Sequence, residues 1–172
     1  MANLWGNLSE SISEAKTPKD IIMEQASIFN EMDNNLAYID ITRKKLTNMG
    51  RKQFQSYENR GYDVDTDFIY AFELKSEYMQ DFSYDVFRIY YGIKFYPLCI
   101  ALSSGIDSEL EKYLEDSIET VDWQEHLYMV EDETDFVNLL EQVLNTKELA
   151  VIIRNMNVLA REQVNADDSV ED

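Results

Sequence analysis

The sequence has few of the residues that stabilise or interrupt small folds: one cysteine, two prolines and five glycines in 172 residues. A single cysteine, Cys99, excludes an intramolecular disulfide and a zinc site built from several thiolates. Because Cys99 lies in the apolar run 97–102, we interpret it as a small buried hydrophobic residue. No window approaches the roughly 20 consecutive apolar residues of a membrane span, so we expect no membrane association.

Motifs for common catalytic chemistry are also missing. The sequence has no glycine-rich phosphate loop and no serine in a glycine-flanked elbow. His126 is the one histidine, and we expect it in a strand, hydrogen-bonded to a neighbouring carboxylate. Residues 63–67 place three aspartates at calcium-loop spacing, but Phe68 stands where the loop needs glycine and Leu74 where it needs glutamate. We therefore predict no catalytic residue, no metal site and no cofactor.

Positive charge is scarce: 15 basic residues stand against 34 acidic ones, which gives a formal net charge of -19. Residues 1–106 carry 15 acids and 11 bases, whereas residues 107–172 carry 19 acids and 4 bases. Such a field attracts cations and basic protein surfaces, and it argues against direct binding to nucleic acid. One basic cluster is present, formed by Arg43, Lys44, Lys45, Arg51 and Lys52.

Capping patterns predict a helix in the N-terminal part of the chain. Thr17 is a typical N-cap, Pro18 suits the first helical position, and Asp20 faces the positive end of the helix dipole. The apolar spacing continues to about Met32. Before this helix, residues 4–14 have the four-residue apolar spacing of a short amphipathic helix or a docking segment.

Alternating apolar residues predict strands in the middle of the chain. Residues 36–46 form one alternating run, and residues 67–103 contain further strand-like runs. Among these, 93–102 is the more continuously apolar one and is predicted to be central. Residues 48–66 are polar, and we interpret them as a long connection or a ragged strand.

The C-terminal part is predicted to be mainly helical. A helix over 107–118 and a short strand over 126–130 precede a helix capped by Asp132 or Thr134, and a second helix restarts at 145–146. We predict an α+β domain over residues 1–162, with an antiparallel β-sheet of about four to five strands. The N-terminal helix and the C-terminal helices pack on one face, and an acidic disordered tail covers 163–172.

The acidic run from Asp107 to Asp135 contains twelve carboxylates and one lysine, Lys112. Solvated helices usually intersperse glutamate with lysine, and like charges at this density cost stability. We therefore predict a non-enzymatic interaction module that covers a basic site on a protein partner, such as a nuclease or a DNA- or RNA-binding protein. Inhibitors, immunity proteins and nucleic-acid mimics of bacterial or mobile-element origin belong to this class. The predicted partner-binding residues are Asp107, Glu111, Glu115, Asp116, Glu119, Asp122, Trp123, Glu125, Tyr128, Glu131, Asp132 and Glu133.

Two alternatives remain open. The first is an enzyme or small-ligand domain with a pocket between the aromatic sheet and the C-terminal helices. The second is a structural homodimer that buries the apolar stripes of the terminal helices. A cytoplasmic location is expected in each case, because the N-terminus has neither a basic leader nor a continuous apolar region.

Overall fold

A six-stranded antiparallel sheet lies at the centre of the computed structural model, which describes residues 15–169. Its strands are β1 (Tyr38–Arg43), β2 (Phe68–Lys75), β3 (Ser83–Tyr91), β4 (Leu98–Leu102), β5 (Glu119–Asp122) and β6 (Leu127–Val130). The spatial order β1-β2-β3-β4-β6-β5 makes β1 and β5 the two edges. The predicted α+β class is confirmed, with slightly more strands than expected. The segment predicted over residues 4–14 lies outside the described residues.

Five helices accompany the sheet within this part of the chain: α1 (Pro18–Asn30), α2 (Asn48–Asn59), α3 (Ser104–Ser117), α4 (Glu133–Leu144) and α5 (Lys147–Asp168). Helices α1, α4 and α5 begin at predicted caps, because Thr17, Asp132 and Thr146 each accept a hydrogen bond from a backbone amide in the first turn. No helix between residues 15 and 169 is long and apolar enough to cross a membrane.

The main core lies between one face of the sheet and helices α1, α3, α4 and α5. Alternation along the strands directs every second side chain to this face. Phe72 and Phe87, which are register partners on β2 and β3, stack with ring centroids 4.7 Å apart. Phe136 and Leu139 of α4 are fully buried, and each such side chain contributes about 1.5–3 kcal/mol relative to exposure.

Helix α2 packs against the opposite face and corrects the prediction that residues 48–66 form a loop or a ragged strand. Thr47 caps it, and Phe54 and Tyr57 are its buried residues. They pack with a smaller cluster that includes Cys99, and the ring of Phe54 lies 4.8 Å from that of Tyr90. Two aromatic anchors hold this otherwise polar helix, so the sheet is partly covered on both faces.

Two further boundaries differ from the prediction. Strand β4 begins at Leu98, because residues 92–97 form the turn that returns the chain from β3. Its central position is confirmed, since it lies between β3 and β6. Helix α5 continues to Asp168, so residues 163–168 are helical rather than a disordered tail, and residues 170–172 lie outside the described residues.

Candidate protein-interaction surface

The predicted partner-binding residues lie on three adjoining elements near the β5 edge of the sheet: helix α3, the β5–β6 hairpin and the start of α4. Helix α3 packs against both β5 and α4. Nine of the twelve residues are exposed: Glu111, Glu115, Asp116, Glu119, Trp123, Glu125, Glu131, Asp132 and Glu133. We call these nine residues the acidic surface. Asp107 and Asp122 are half-buried, and Tyr128 is buried.

Helix α3 presents a row of carboxylates because Asp107, Glu111 and Glu115 follow each other at four-residue spacing. A neighbouring stripe of the helix, about 100° around its axis, is buried and consists of Ile106, Leu110 and Leu114. Each like-charged pair at this spacing costs the helix a few tenths of a kcal/mol. Burial of the apolar stripe fixes the row at the surface despite this repulsion.

Tyr128 belongs to the protein interior, where its hydroxyl donates a hydrogen bond to the carboxylate of Asp107. Burial raises the pKa of the Tyr128 hydroxyl, and the hydrogen bond to Asp107 raises it further. The ring Nδ1 of His126 lies 2.9 Å from the other oxygen of Asp107, which confirms the expected carboxylate partner of this histidine. The prediction that His126 lies in a strand is wrong, because it occupies the turn before β6, which begins at Leu127. Tyr128 therefore holds β6 to α3, and its predicted role as an exposed contact aromatic is corrected by its burial.

Trp123 projects from the tip of the β5–β6 hairpin and is 72% exposed. The turn beneath it is held by Asp122, whose carboxylate accepts from the amides of Gln124 and Glu125 at 3.0 and 3.4 Å. From α2, the hydroxyl of Tyr57 donates to the same carboxylate at 2.9 Å. Because Tyr57 is buried, the turn is tied to the interior, and the indole is presented on a fixed support.

In the part of the chain that the structure describes, the carboxylates of the acidic surface form no ion pair. Within residues 15–169, the ion pairs are Lys16–Glu24, Lys44–Glu73, Lys75–Asp40, Lys75–Glu73, Arg88–Asp85 and His126–Asp107. None of these pairs includes a residue of the acidic surface. No lysine or arginine in this part of the chain therefore lies at ion-pair distance from the acidic surface, and its carboxylates are available to an external cationic group.

Glu109, also on α3, forms hydrogen bonds within the protein that connect α3 to α5. Its two carboxylate oxygens accept from the amides of Lys147 and Glu148 at 2.7 and 2.9 Å, at the start of α5. These amide hydrogen bonds lower the pKa of Glu109. The contact joins residues 38 positions apart, so no local pattern distinguishes Glu109 from its exposed neighbours.

Cys99 is fully buried on β4, and burial raises the pKa of its thiol to about 12. Its side chain faces the cluster under α2, whereas His126 contacts Asp107 of α3 on the other side of the sheet. The two residues are therefore not a nucleophile–base pair.

Phe68 begins strand β2, so the strand occupies the second half of the calcium-loop pattern of residues 63–74. Across residues 15–169, no group of histidine, cysteine and carboxylate side chains converges in a way that could hold a metal ion.

An apolar cavity of about 380 Å³ lies between the sheet and helices α1, α4 and α5. Its walls include Phe29, Phe72 and Leu140, and Gln25, Glu141 and Asn145 supply polar groups. Its position matches the pocket expected for the small-ligand alternative. Glu141 is its one lining carboxylate, and His126 is not among the lining residues.

Helix α5 exposes the apolar side chains of Val151, Val158 and Leu159. Their spacing of seven and eight residues places them on one side of the helix. This stripe is the feature on which the homodimer alternative rests, and that alternative stays a prediction.

The fold and the surface together define an α+β protein with an acidic surface near one edge of its sheet and an exposed tryptophan. Comparison of the chain with protein-family models, with curated proteins and with solved structures gave no match. The functional proposal therefore rests on the geometry and charge of the molecule itself.

Proposed function

We propose that this protein is a non-enzymatic interaction module that covers a basic site on a protein partner. The observation that carries the proposal is Trp123, which stands exposed on a fixed turn among carboxylates that form no ion pair with lysine or arginine in residues 15–169. Trp123 is 72% exposed, against 41% for Tyr78 and 42% for Phe82, and tryptophan is enriched at the energetic centres of protein interfaces. An inhibitor, an immunity protein or a nucleic-acid mimic would use this combination.

Each chemical component has a distinct effect on association. The eight carboxylates attract a cationic partner and accelerate its encounter, by roughly tenfold to a thousandfold at low salt. On a nuclease or a DNA-binding protein, they would occupy positions that otherwise bind phosphates. Trp123 acts after encounter, because burying its ring strengthens the complex and slows dissociation.

The test begins with affinity capture from a bacterial host or its phage-infected cells at low and high salt. Captured proteins are then purified, and their association and dissociation rates are measured with two charge-matched variants. The test variant neutralises three carboxylates of the acidic surface: E111Q, E115Q and D116N. The control variant neutralises three exposed carboxylates elsewhere: E58Q, D63N and D81N.

A genuine partner should associate roughly tenfold more slowly with the test variant at low salt, and at nearly the normal rate with the control. W123A should weaken binding by about 2 kcal/mol, or about thirtyfold, mainly through faster dissociation. If both charge variants bind equally well, net charge rather than the acidic surface governs attraction, and the proposal fails. Competition with a DNA duplex then separates nucleic-acid mimicry, which requires mutual exclusion, from binding elsewhere on the partner.

The apolar cavity favours a second candidate function, the binding of a small apolar ligand. Its volume of about 380 Å³ falls within the range of small-molecule sites, and apolar walls with a few polar groups are typical of them. L140W would fill the cavity and should abolish binding of an apolar fluorescent probe. V151W adds the same indole on exposed α5 and should leave probe binding intact. Equal probe binding by wild type and L140W would remove the support for this function.

A further inference from the structure

Four of the five residues of the basic cluster line a cleft of about 510 Å³, where the chain passes from β1 into α2, and Lys52 is not among its lining residues. Four cationic side chains line it: Arg43, Lys44, Lys45 and Arg51. Leu46 and Ile69 provide apolar wall, and Thr66 and Asp67 complete the lining. The cleft thus gathers four of the chain's 15 basic residues, in a protein with 34 acidic ones.

Three of these cations are uncompensated. Lys44 is paired with Glu73 at 2.8 Å, but Arg43, Lys45 and Arg51 form no ion pair with any carboxylate in residues 15–169. Asp67 lines the same cleft without pairing with them. Acids outnumber bases more than twofold in this chain, so three cations without a carboxylate partner in one cleft are a feature that an anionic ligand would explain.

We infer that this cleft binds a compact phosphorylated small molecule that carries a diphosphate or triphosphate group. Three free cations match the charge of such a group, and arginine offers paired donors that suit phosphate oxygens. The guanidinium of Arg43 lies 5.6 Å from the centre of the Phe68 ring, which supports it at the cleft wall. The volume fits a nucleotide-sized ligand, and Leu46 and Ile69 offer apolar surface to its non-phosphate part.

A compact anion suits this site better than a polymer. The screening length at physiological salt is about 8 Å, so a ligand inside the cleft senses mainly the nearby cations. A nucleic acid would extend beyond the cleft over a molecule whose net charge is -19 and would be repelled. This site is independent of the proposed protein-interaction function, because no residue of the acidic surface lines the cleft.

The inference is tested by calorimetric titration at constant ionic strength with pyrophosphate, a nucleoside triphosphate, the parent nucleoside, sulfate and a short DNA duplex. The test variant is K45A/R51A, which removes two exposed lining cations. The control is K94A/R154A, which removes one exposed lysine and one exposed arginine outside both the basic cluster and the cleft. Circular dichroism confirms that both variants are folded.

We expect the triphosphate and pyrophosphate to bind wild type and control alike, and K45A/R51A to lose at least tenfold in affinity. The nucleoside alone should bind far more weakly than the triphosphate. The inference is overturned if millimolar triphosphate gives no binding, or if K45A/R51A binds it as well as wild type. Sulfate binding equal to that of pyrophosphate would show an adventitious ion only, and tighter binding of the duplex would overturn the ligand class.

Discussion

Glu73 provides the sharpest test of the charge network on the sheet. Its carboxylate is 7% exposed on β2 and lies 2.8 Å from Nζ of Lys44 and 3.4 Å from Nζ of Lys75. The hydroxyl of Thr42 donates a further hydrogen bond. Burial acts to raise the pKa of Glu73, but the hydrogen bonds from Lys44 and Thr42 and the charge of Lys44 outweigh it. The resulting pKa is about 2, against an ordinary value of 4.5.

This pKa difference sets both the size and the sign of a stability change. A fall from 4.5 to about 2 corresponds to about 3 kcal/mol in favour of the folded state, at about 1.4 kcal/mol per unit. Because the pKa of the folded state is the lower one, this stabilisation is fully present above pH 4.5. It is lost as the pH falls from 4.5 to about 2, when the carboxylate takes up a proton in both states.

Urea unfolding of wild type, E73Q and E77Q across this pH range isolates the effect of Glu73. Other carboxylates titrate in the same window and change the total stability, but they cancel in the difference between wild type and variant. We expect E73Q to be about 3 kcal/mol less stable near pH 7, with the difference shrinking steadily below pH 4.5. E77Q, at an exposed position, should stay within about 0.5 kcal/mol throughout. A difference for E73Q that does not change with pH would refute the network as its cause.

Three further predictions concern the interior. Because burial raises the pKa of Cys99 to about 12, its thiol should be alkylated roughly a thousandfold more slowly in native than in unfolded protein near pH 8. Mass spectrometry measures both rates, and equal rates would contradict the burial of Cys99. Y57F removes the hydrogen bond to Asp122 and should cost about 1 kcal/mol in urea unfolding; unchanged stability would show that this bond does not support the hairpin. D107A leaves the buried hydroxyl of Tyr128 without its acceptor and should lower the free energy of unfolding by about 1–3 kcal/mol. The double variant D107A/Y128F should recover part of this loss. If the losses of the two single variants simply add in the double variant, the two groups are not coupled.

Sequence patterns predicted the elements that carry strong local signals. The Thr17–Asp20 capping box is present, with reciprocal hydrogen bonds of 3.0 Å. The starts of α4 and α5 and the strands between residues 67 and 103 also follow from caps and alternation. These features depend on residues close together in the sequence, so they can be recognised from the sequence alone.

The missed features depend on contacts between distant residues. Helix α2 buries two side chains, Phe54 and Tyr57, so its periodicity is weak, and its visible signal was the Thr47 cap. Tyr128 counted as an exposed aromatic because its partner, Asp107, lies 21 residues earlier and meets it only in the folded chain. The sequence patterns thus located the acidic run, but the fold decides which of its members face solvent.

The basic cleft and the acidic surface lie toward opposite edges of the sheet, because Arg43 ends β1 and Glu119 begins β5. Five interstrand spacings separate these edges by about 24 Å, which is three times the screening length of about 8 Å at physiological salt. The triple variant E111Q/E115Q/D116N should therefore bind the triphosphate normally near 0.15 M salt. Near 0.01 M salt the screening length grows to about 30 Å, and the same variant should bind it more tightly than wild type does. The control E58Q/D63N/D81N, equal in net charge, distinguishes local from global effects. Stronger binding by the triple variant near 0.15 M salt as well would show that the charges of the acidic surface reach the cleft despite screening, and would refute the electrostatic independence of the two sites.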